Sequence, residues 1–194
     1  LAGKASLLVW TTTPWTLVSN TAVAVHPDVT YVVATQDVAE GETLVIAEPL
    51  AEKVLGDGWR LGQTFTGKDM ELWRYQRPFE LVEFPDAVGG THYIVLAEYV
   101  TTEDGTGLVH QAPAFGEDDM AVCRAYGLPF VNPIRPNGHF ADDVPLVGGQ
   151  FFKTADADLV DDLRARGLLF RKLDYAHSYP HCWRCHTSLI YYAQ

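Results

Sequence analysis

The sequence predicts an α+β domain: a mostly antiparallel or mixed β-sheet, open or closed into a β-barrel, with two or three inserted helices. Three observations predict it. Short runs rich in Val, Ala and Ile recur at close spacing between Ser6 and Gln111. Helical spacing interrupts them at only a few places. The βαβ rhythm of a nucleotide-binding fold is missing, with its glycine fingerprint and the phosphate loop.

The elements follow in order. Ser6–Trp10 is an apolar run bounded by a Thr/Pro cluster and reads as a strand. Thr21–His26, Thr30–Gln36 and Thr43–Ala47 are further strands, rich in β-branched residues and Ala. Glu48–Leu55 has helical spacing and stops at Gly56-Asp57-Gly58. Glu71–Tyr75 and Phe79–Phe84 read as two short strands, His92–Val100 as a longer one, and Gly107–Gln111 as a strand ending in a Pro/Gly loop. Gly116–Tyr126 is a helix whose first turn carries Glu117, Asp118 and Asp119, where carboxylates favour the positive dipole end. Pro129, Pro133, Pro136 and Pro145 make the following stretch irregular. Thr154–Gly167 is a second long helix, with Thr154 as its cap, and Leu168–Tyr175 is a last strand.

The net charge of −11, from 14 Lys and Arg against 25 Asp and Glu, argues against general nucleic-acid affinity. It leaves room for a pocket that takes one nucleotide end. No apolar run approaches the roughly 20 residues that span a membrane, and no signal peptide is visible. Three cysteines form no disulfide framework and suit a reducing, cytoplasmic compartment. A start at Leu1 rather than Met suggests a piece of a longer protein.

Three segments could carry chemistry. The first is Trp10-Thr11-Thr12-Thr13-Pro14-Trp15-Thr16, followed by Ser19-Asn20. Pro14 restricts Thr13 to extended geometry, and hydroxyls that donate and accept can position a water or a ribose. The same residues also suit a plain Thr-rich strand end. The second runs from Gly105 through Gly107-Leu108-Val109-His110-Gln111-Ala112 to Asp119. Its glycines permit close approach of backbone to a ligand, and a strand–loop–helix turn could bring His110 and Asp119 to one amine and one carbonyl. A strand-end His beside helix-capping acids is the simpler account. The third is Cys182-Trp183-Arg184-Cys185, half of a tetrahedral zinc site. A second such pair is missing; His177, His181 or His186 could contribute, or the partners lie outside this chain.

Taken together and in this order, the three segments resemble the inserted (CP1) editing domain of class I aminoacyl-tRNA synthetases that act on branched aliphatic amino acids. The resemblance covers nearly the whole chain. Valyl and leucyl relatives carry Thr-Thr-Arg-Pro followed by Glu or Asp; the uncharged Thr13 and Trp15 resemble the isoleucyl branch instead. Cys182 to Tyr191 resembles the stretch where that enzyme returns to its catalytic core, with Ser188 where the family usually has Pro. The resemblance implies an editing domain over residues 1–176 and a return segment over 177–194, with Cys182 and Cys185 as a half zinc site. Zinc is expected in the full-length parent only, and no cofactor for editing.

The implied activity is hydrolysis of valine from isoleucine tRNA, and of valyl-adenylate, with isoleucine excluded. The implied partners are the aminoacylated 3′ end of that tRNA, valine and valyl-adenylate as small ligands, and the rest of the parent synthetase; no membrane. By resemblance Asp119 holds the substrate's α-ammonium group, and Thr11, Thr12 and Thr13 surround the scissile ester. His110 and Asn20 line the amino-acid pocket. Trp15 is expected to stack on the terminal adenosine, with Gly107, Leu108 and Val109 giving backbone contacts and Ala112 completing the substrate-binding set. A non-catalytic module that grips the tRNA end, the editing domain of a valyl or leucyl relative, a zinc-dependent structural module and a free-standing editing factor are the competing readings.

Overall fold

The first strands pair because their buried faces are continuous. A computed structural model describes residues 5–174 and 179–191. Strands β1 (Ser6–Leu7), β3 (Thr30–Gln36), β4 (Thr43–Ala47) and β5 (Trp59–Thr66) form one sheet in the order β1-β4-β3-β5. Between them, a 3-10 helix covers Pro14–Ser19 and β2 covers Ala22–Val25. A second sheet has the order β6-β2-β7, with β6 at Ile94–Leu96 and β7 at Leu108–Gln111. β3 pairs antiparallel with β4 and β5, whereas β1–β4 and β2–β6 are parallel, so the sheets are mixed. Among the described residues neither sheet closes into a barrel. β1 and β6, at two and three residues, are too short to carry a continuous ladder round.

The helices are α1 (Glu48–Leu55), α2 (Gly67–Met70), α3 (Glu117–Ala125) and α4 (Phe152–Ala165). Thr66 and Asp69 make a reciprocal cap on α2. α3 ends as its sequence requires: Gly127 takes φ +65° and the Leu128 amide donates to the Cys123 carbonyl at 2.8 Å. No helix among the described residues is long and apolar enough to cross a membrane.

The chain divides into two compact units: residues 1–11, 22–75 and 92–110, and residues 12–21, 76–91 and 111–194. The boundary expected at 176/177 lies outside the described residues. In the first unit Ala22–Val25, Tyr31, Val32, Ile46, Ile94 and Leu108 are buried between and around the sheets. The Tyr31 hydroxyl, fully buried, accepts from the His26 amide at 2.9 Å and donates to the Gly107 carbonyl at 2.8 Å. Burial pushes its phenol up to about 12, so it stays neutral and able to donate. The second unit has its own core, in which Trp15, Leu17 and Val18 meet Phe79, Ile134, Phe140, Phe152 and Leu159.

Several sequence expectations change. Ser6–Trp10 is a strand only at Ser6–Leu7, with one further parallel bridge from Trp10 to Val109. His92–Val100 shrinks to Ile94–Leu96, because His92 takes φ +60° and Val100 turns back onto the Ala97 carbonyl. Glu71–Tyr75 is not a regular strand: Leu72 sits at φ +64°, and the stretch is joined to residues 92–94 by an isolated Arg74–Tyr93 bridge and a few backbone hydrogen bonds. Phe79–Phe84 and residues 168–174 form no strand, and Tyr175 lies outside the described residues. Thr154 does not cap α4. The helix starts at Phe152, and the Thr154 hydroxyl donates back to the Phe151 carbonyl at 2.8 Å.

Tyr31→Phe should cost about 1–3 kcal/mol, since it leaves a buried amide and a buried carbonyl without this partner. Urea unfolding should show a lower midpoint with an unchanged m-value.

Candidate active site

The residues singled out in the sequence fall in both units. Thr11, Gly107, Leu108, Val109 and His110 belong to the first; Thr12, Thr13, Trp15, Asn20, Ala112 and Asp119 belong to the second.

In the first unit, the parallel bridge from Trp10 to Val109 sets the residue before Thr11 beside β7. Gly107 enters β7 at φ +74°, and a Cβ there would lie 2.3 Å from the Ala47 Cβ, so only glycine fits. Leu108 and His110 are buried and Val109 is half-buried, the alternation of a strand. His110 is 7% exposed, and burial drives its imidazole down to about 4. It is therefore neutral near pH 7 and not a cation.

In the second unit, Thr12 and Thr13 are half-buried while Trp15 through Asn20 are buried. Pro14 opens the 3-10 helix, where its missing N–H costs nothing, and Thr13 takes φ −132° ahead of it. The Thr13 carbonyl accepts from both the amide and the hydroxyl of Thr16, at 3.0 and 2.8 Å. The Trp15 amide donates to Asp156 Oδ1 at 2.8 Å, a contact between residues 141 positions apart. Burial pushes the Asp156 carboxyl up from the usual Asp range, opposed by the Trp15 amide and Lys153.

Asp119 stands in the first turn of α3, half-buried, with Oδ2 accepting the Ala112 amide at 2.8 Å. A carboxylate accepts up to about four hydrogen bonds, so this bond orients the group and is compatible with holding an ammonium. The helix dipole favours its charge.

Two expectations need correction. Trp15 is 3% exposed and packs edge-on against Phe115 and Phe152, with centroids 4.7 and 4.8 Å apart. It is a core residue with no face offered for a base to stack on. Asn20, expected to line the pocket, is 1% exposed and closes the 3-10 helix, its amide donating to the Leu17 carbonyl at 3.1 Å. Asp156 carries no local signal in the sequence, being one acid among several within α4.

Cys182 and Cys185 share one tight turn. The His186 amide donates to the Cys182 carbonyl at 2.8 Å, and the Cys182 amide to the Thr187 carbonyl at 2.9 Å. Hydrogen bonding with Thr187, then with Cys182, brings the Cys185 thiol down to about 7, favouring the thiolate that a metal needs. Two thiols on one turn fit half of a tetrahedral set. His181 is otherwise engaged, its ring nitrogens 2.8 Å from the Tyr179 carbonyl and 3.3 Å from the Ser188 hydroxyl. Among the described residues no three His, Cys, Asp or Glu side chains group as a metal site, and His177 lies outside those residues.

The comparisons bear on the family and the fold. Isoleucine–tRNA ligase of Streptomyces avermitilis is 72% identical over 195 residues that cover the whole chain. Those of Thermus thermophilus and Methanothermobacter marburgensis are 48% and 43% identical over 98% and 100% of it. The chain belongs to the isoleucine–tRNA ligase family. It spans 18% of the length of the first of these relatives. No family model matches. Among solved structures, GlLeuRS-CP1 shares the fold with a TM-score of 0.68 at 16% identity, over 89% of this chain and 84% of that one. The P. falciparum cytosolic leucyl-tRNA synthetase editing domain, lacking insertions 1 and 3, gives 0.58 at 11% identity over 84% and 76%. This segment of the isoleucine–tRNA ligase family therefore has the α+β fold of a synthetase CP1 domain.

The buried His110 makes a prediction about pH. Its folded value lies below its unfolded one, so the unfolded chain binds the extra proton. Stability should be complete above about pH 6.5 and fall by about 3 kcal/mol as pH drops through the interval down to about 4. In melts across that range, His110→Gln should lose less stability than wild type; parallel losses would contradict this.

Proposed function

We propose that the chain is a hydrolytic editing domain that removes valine from isoleucine tRNA, and cleaves valyl-adenylate, while refusing isoleucine. The observation that carries the reading is the Asp119 carboxylate, half-buried in the first turn of α3 and oriented by the Ala112 amide. Similarity to isoleucine–tRNA ligases over the whole of this chain, and the fold of synthetase CP1 domains, support it.

The physical need is a second sieve. One methylene in an apolar pocket is worth only about 1–3 kcal/mol, and isoleucine against valine is the standard instance of that limit. A smaller hydrolytic pocket admits the valyl ester and excludes the isoleucyl one by size. In this scheme Asp119 binds the α-ammonium in a charge-assisted contact. Thr11, Thr12 and Thr13, with backbone amides, orient the attacking water and polarise the carbonyl. The neutral His110 walls the amino-acid pocket, and Gly107–Val109 and Ala112 offer backbone to the terminal nucleoside. Asn20 is assigned to the same amino-acid pocket. Water attacks the ester carbon, the ribose oxygen leaves, and valine and tRNA separate. The scheme uses no cofactor. Zinc belongs to the full-length parent, with Cys182 and Cys185 supplying two thiolates and the other ligands coming from outside this chain. The remaining partners are the tRNA 3′ end and the rest of the parent, in the cytoplasm.

Asp119→Ala should lower kcat/KM for valyl-tRNA deacylation by about 100-fold or more, in line with losing a charged anchor worth about 3 kcal/mol. An unchanged rate would remove Asp119 from the site. His110→Ala should let isoleucyl-tRNA be hydrolysed; continued refusal would show that the sieve lies elsewhere.

A further inference from the structure

Thr13 leads into the 3-10 helix with its hydroxyl 3.2 Å from the Thr16 hydroxyl. Pro14 contributes no N–H, and Thr13 makes no side-chain cap on the 3-10 helix that follows. The first amide available there is Trp15, and its acceptor is Asp156, 2.8 Å away on α4. One turn earlier on α4, Phe152 meets the Trp15 ring edge-on at 4.8 Å. Phe152 and Asp156 are four residues apart, so one face of α4 grips both the backbone and the side chain of Trp15. Asp156 is itself held: Lys153 lies 3.6 Å from its other oxygen, and the Lys153 ammonium sits over the Tyr179 ring at 4.4 Å. On the far side of Pro14, the Thr13 carbonyl is tied twice to Thr16. The peptides on both sides of Pro14 are thus fixed, and with them the backbone from which Thr13 reaches the Thr16 hydroxyl.

We infer that Asp156 is a positioning residue for the hydrolytic reaction, acting through the Trp15 amide to hold the Thr12–Thr13 segment in its working geometry. The inference rests on the editing reading given above. Asp156 reaches the reaction only through this backbone contact. Removing it should therefore disturb the orientation of the threonines more than the binding of substrate. A displacement of about 1 Å in such groups costs about 100-fold in rate.

The test is steady-state deacylation of valyl-tRNA by the 194-residue chain, with kcat and KM separated, and circular dichroism melts to confirm folding. Asp156→Ala should lower kcat about 10- to 100-fold and leave KM within about twofold. Asp156→Asn, whose amide oxygen still accepts from Trp15, should keep kcat within about threefold of wild type. Asp156→Glu keeps the charge and suits a helix but moves the acceptor, so it provides the reading should the alanine variant fail to fold. It should lower kcat several-fold, about 3- to 10-fold, at constant KM. Wild-type kcat in the alanine or glutamate variant, or a loss in the asparagine variant equal to that in alanine, would overturn the positioning role while leaving the editing reading intact. An inert wild-type chain would overturn the editing reading and the inference with it.

Discussion

A single buried hydroxyl organises the first unit. Tyr31 lies in the central strand of the larger sheet, and its oxygen bridges the His26 amide and the Gly107 carbonyl. That bridge delivers Gly107 to the Ala47 side chain, at a distance that no Cβ would tolerate. The Ala47 amide donates to the neighbouring Thr106 carbonyl at 3.0 Å, tying the same approach from the other side. β7 begins at the next residue, and the burial of His110 follows from that start. The neutral state of His110 is therefore a consequence of packing, since nothing but burial accounts for its lowered pKa.

The second unit solves a related problem with a long-range contact. A Thr-rich run before Pro is a poor start for a helix unless something accepts its first amide. Asp156 supplies that acceptor, and Trp15 serves as the apolar plug that brings α4 into register. Trp15 therefore looked like a ligand platform in the sequence and is a core residue in the fold. An aromatic beside a run of hydroxyls fits both roles, and only the three-dimensional neighbours Phe115 and Phe152 distinguish them.

Much of the fold was legible because its signals are local. Thr30–Gln36, Thr43–Ala47 and Glu48–Leu55 match their sequence patterns end to end; the two strands are apolar runs buried at consecutive residues, and the helix stops at Gly56. β5 gives little signal because most of its side chains are exposed and Gly62 interrupts it; it is held by backbone pairing to β3 and, near its end, by Phe65 edge-on against Trp73. His92 and Leu72 ended their expected strands by adopting positive φ, which their residue types do not announce. Of the candidate site, Asp119 at a helix start and Gly107 at a tight approach could be read from spacing and residue type. The partners that orient the site could not. Asp156 is 141 residues from Trp15, and a pairing at that separation leaves no trace in a single sequence.

The central claim is that this segment of the isoleucine–tRNA ligase family sorts valyl from isoleucyl esters by size. The most direct measurement is calorimetric binding of non-hydrolysable valyl- and isoleucyl-adenosine ester mimics to the chain. The account predicts that the valyl mimic binds at least about tenfold more tightly, a difference of about 1.4 kcal/mol. Equal affinity for both mimics, or tighter binding of the isoleucyl one, would contradict it.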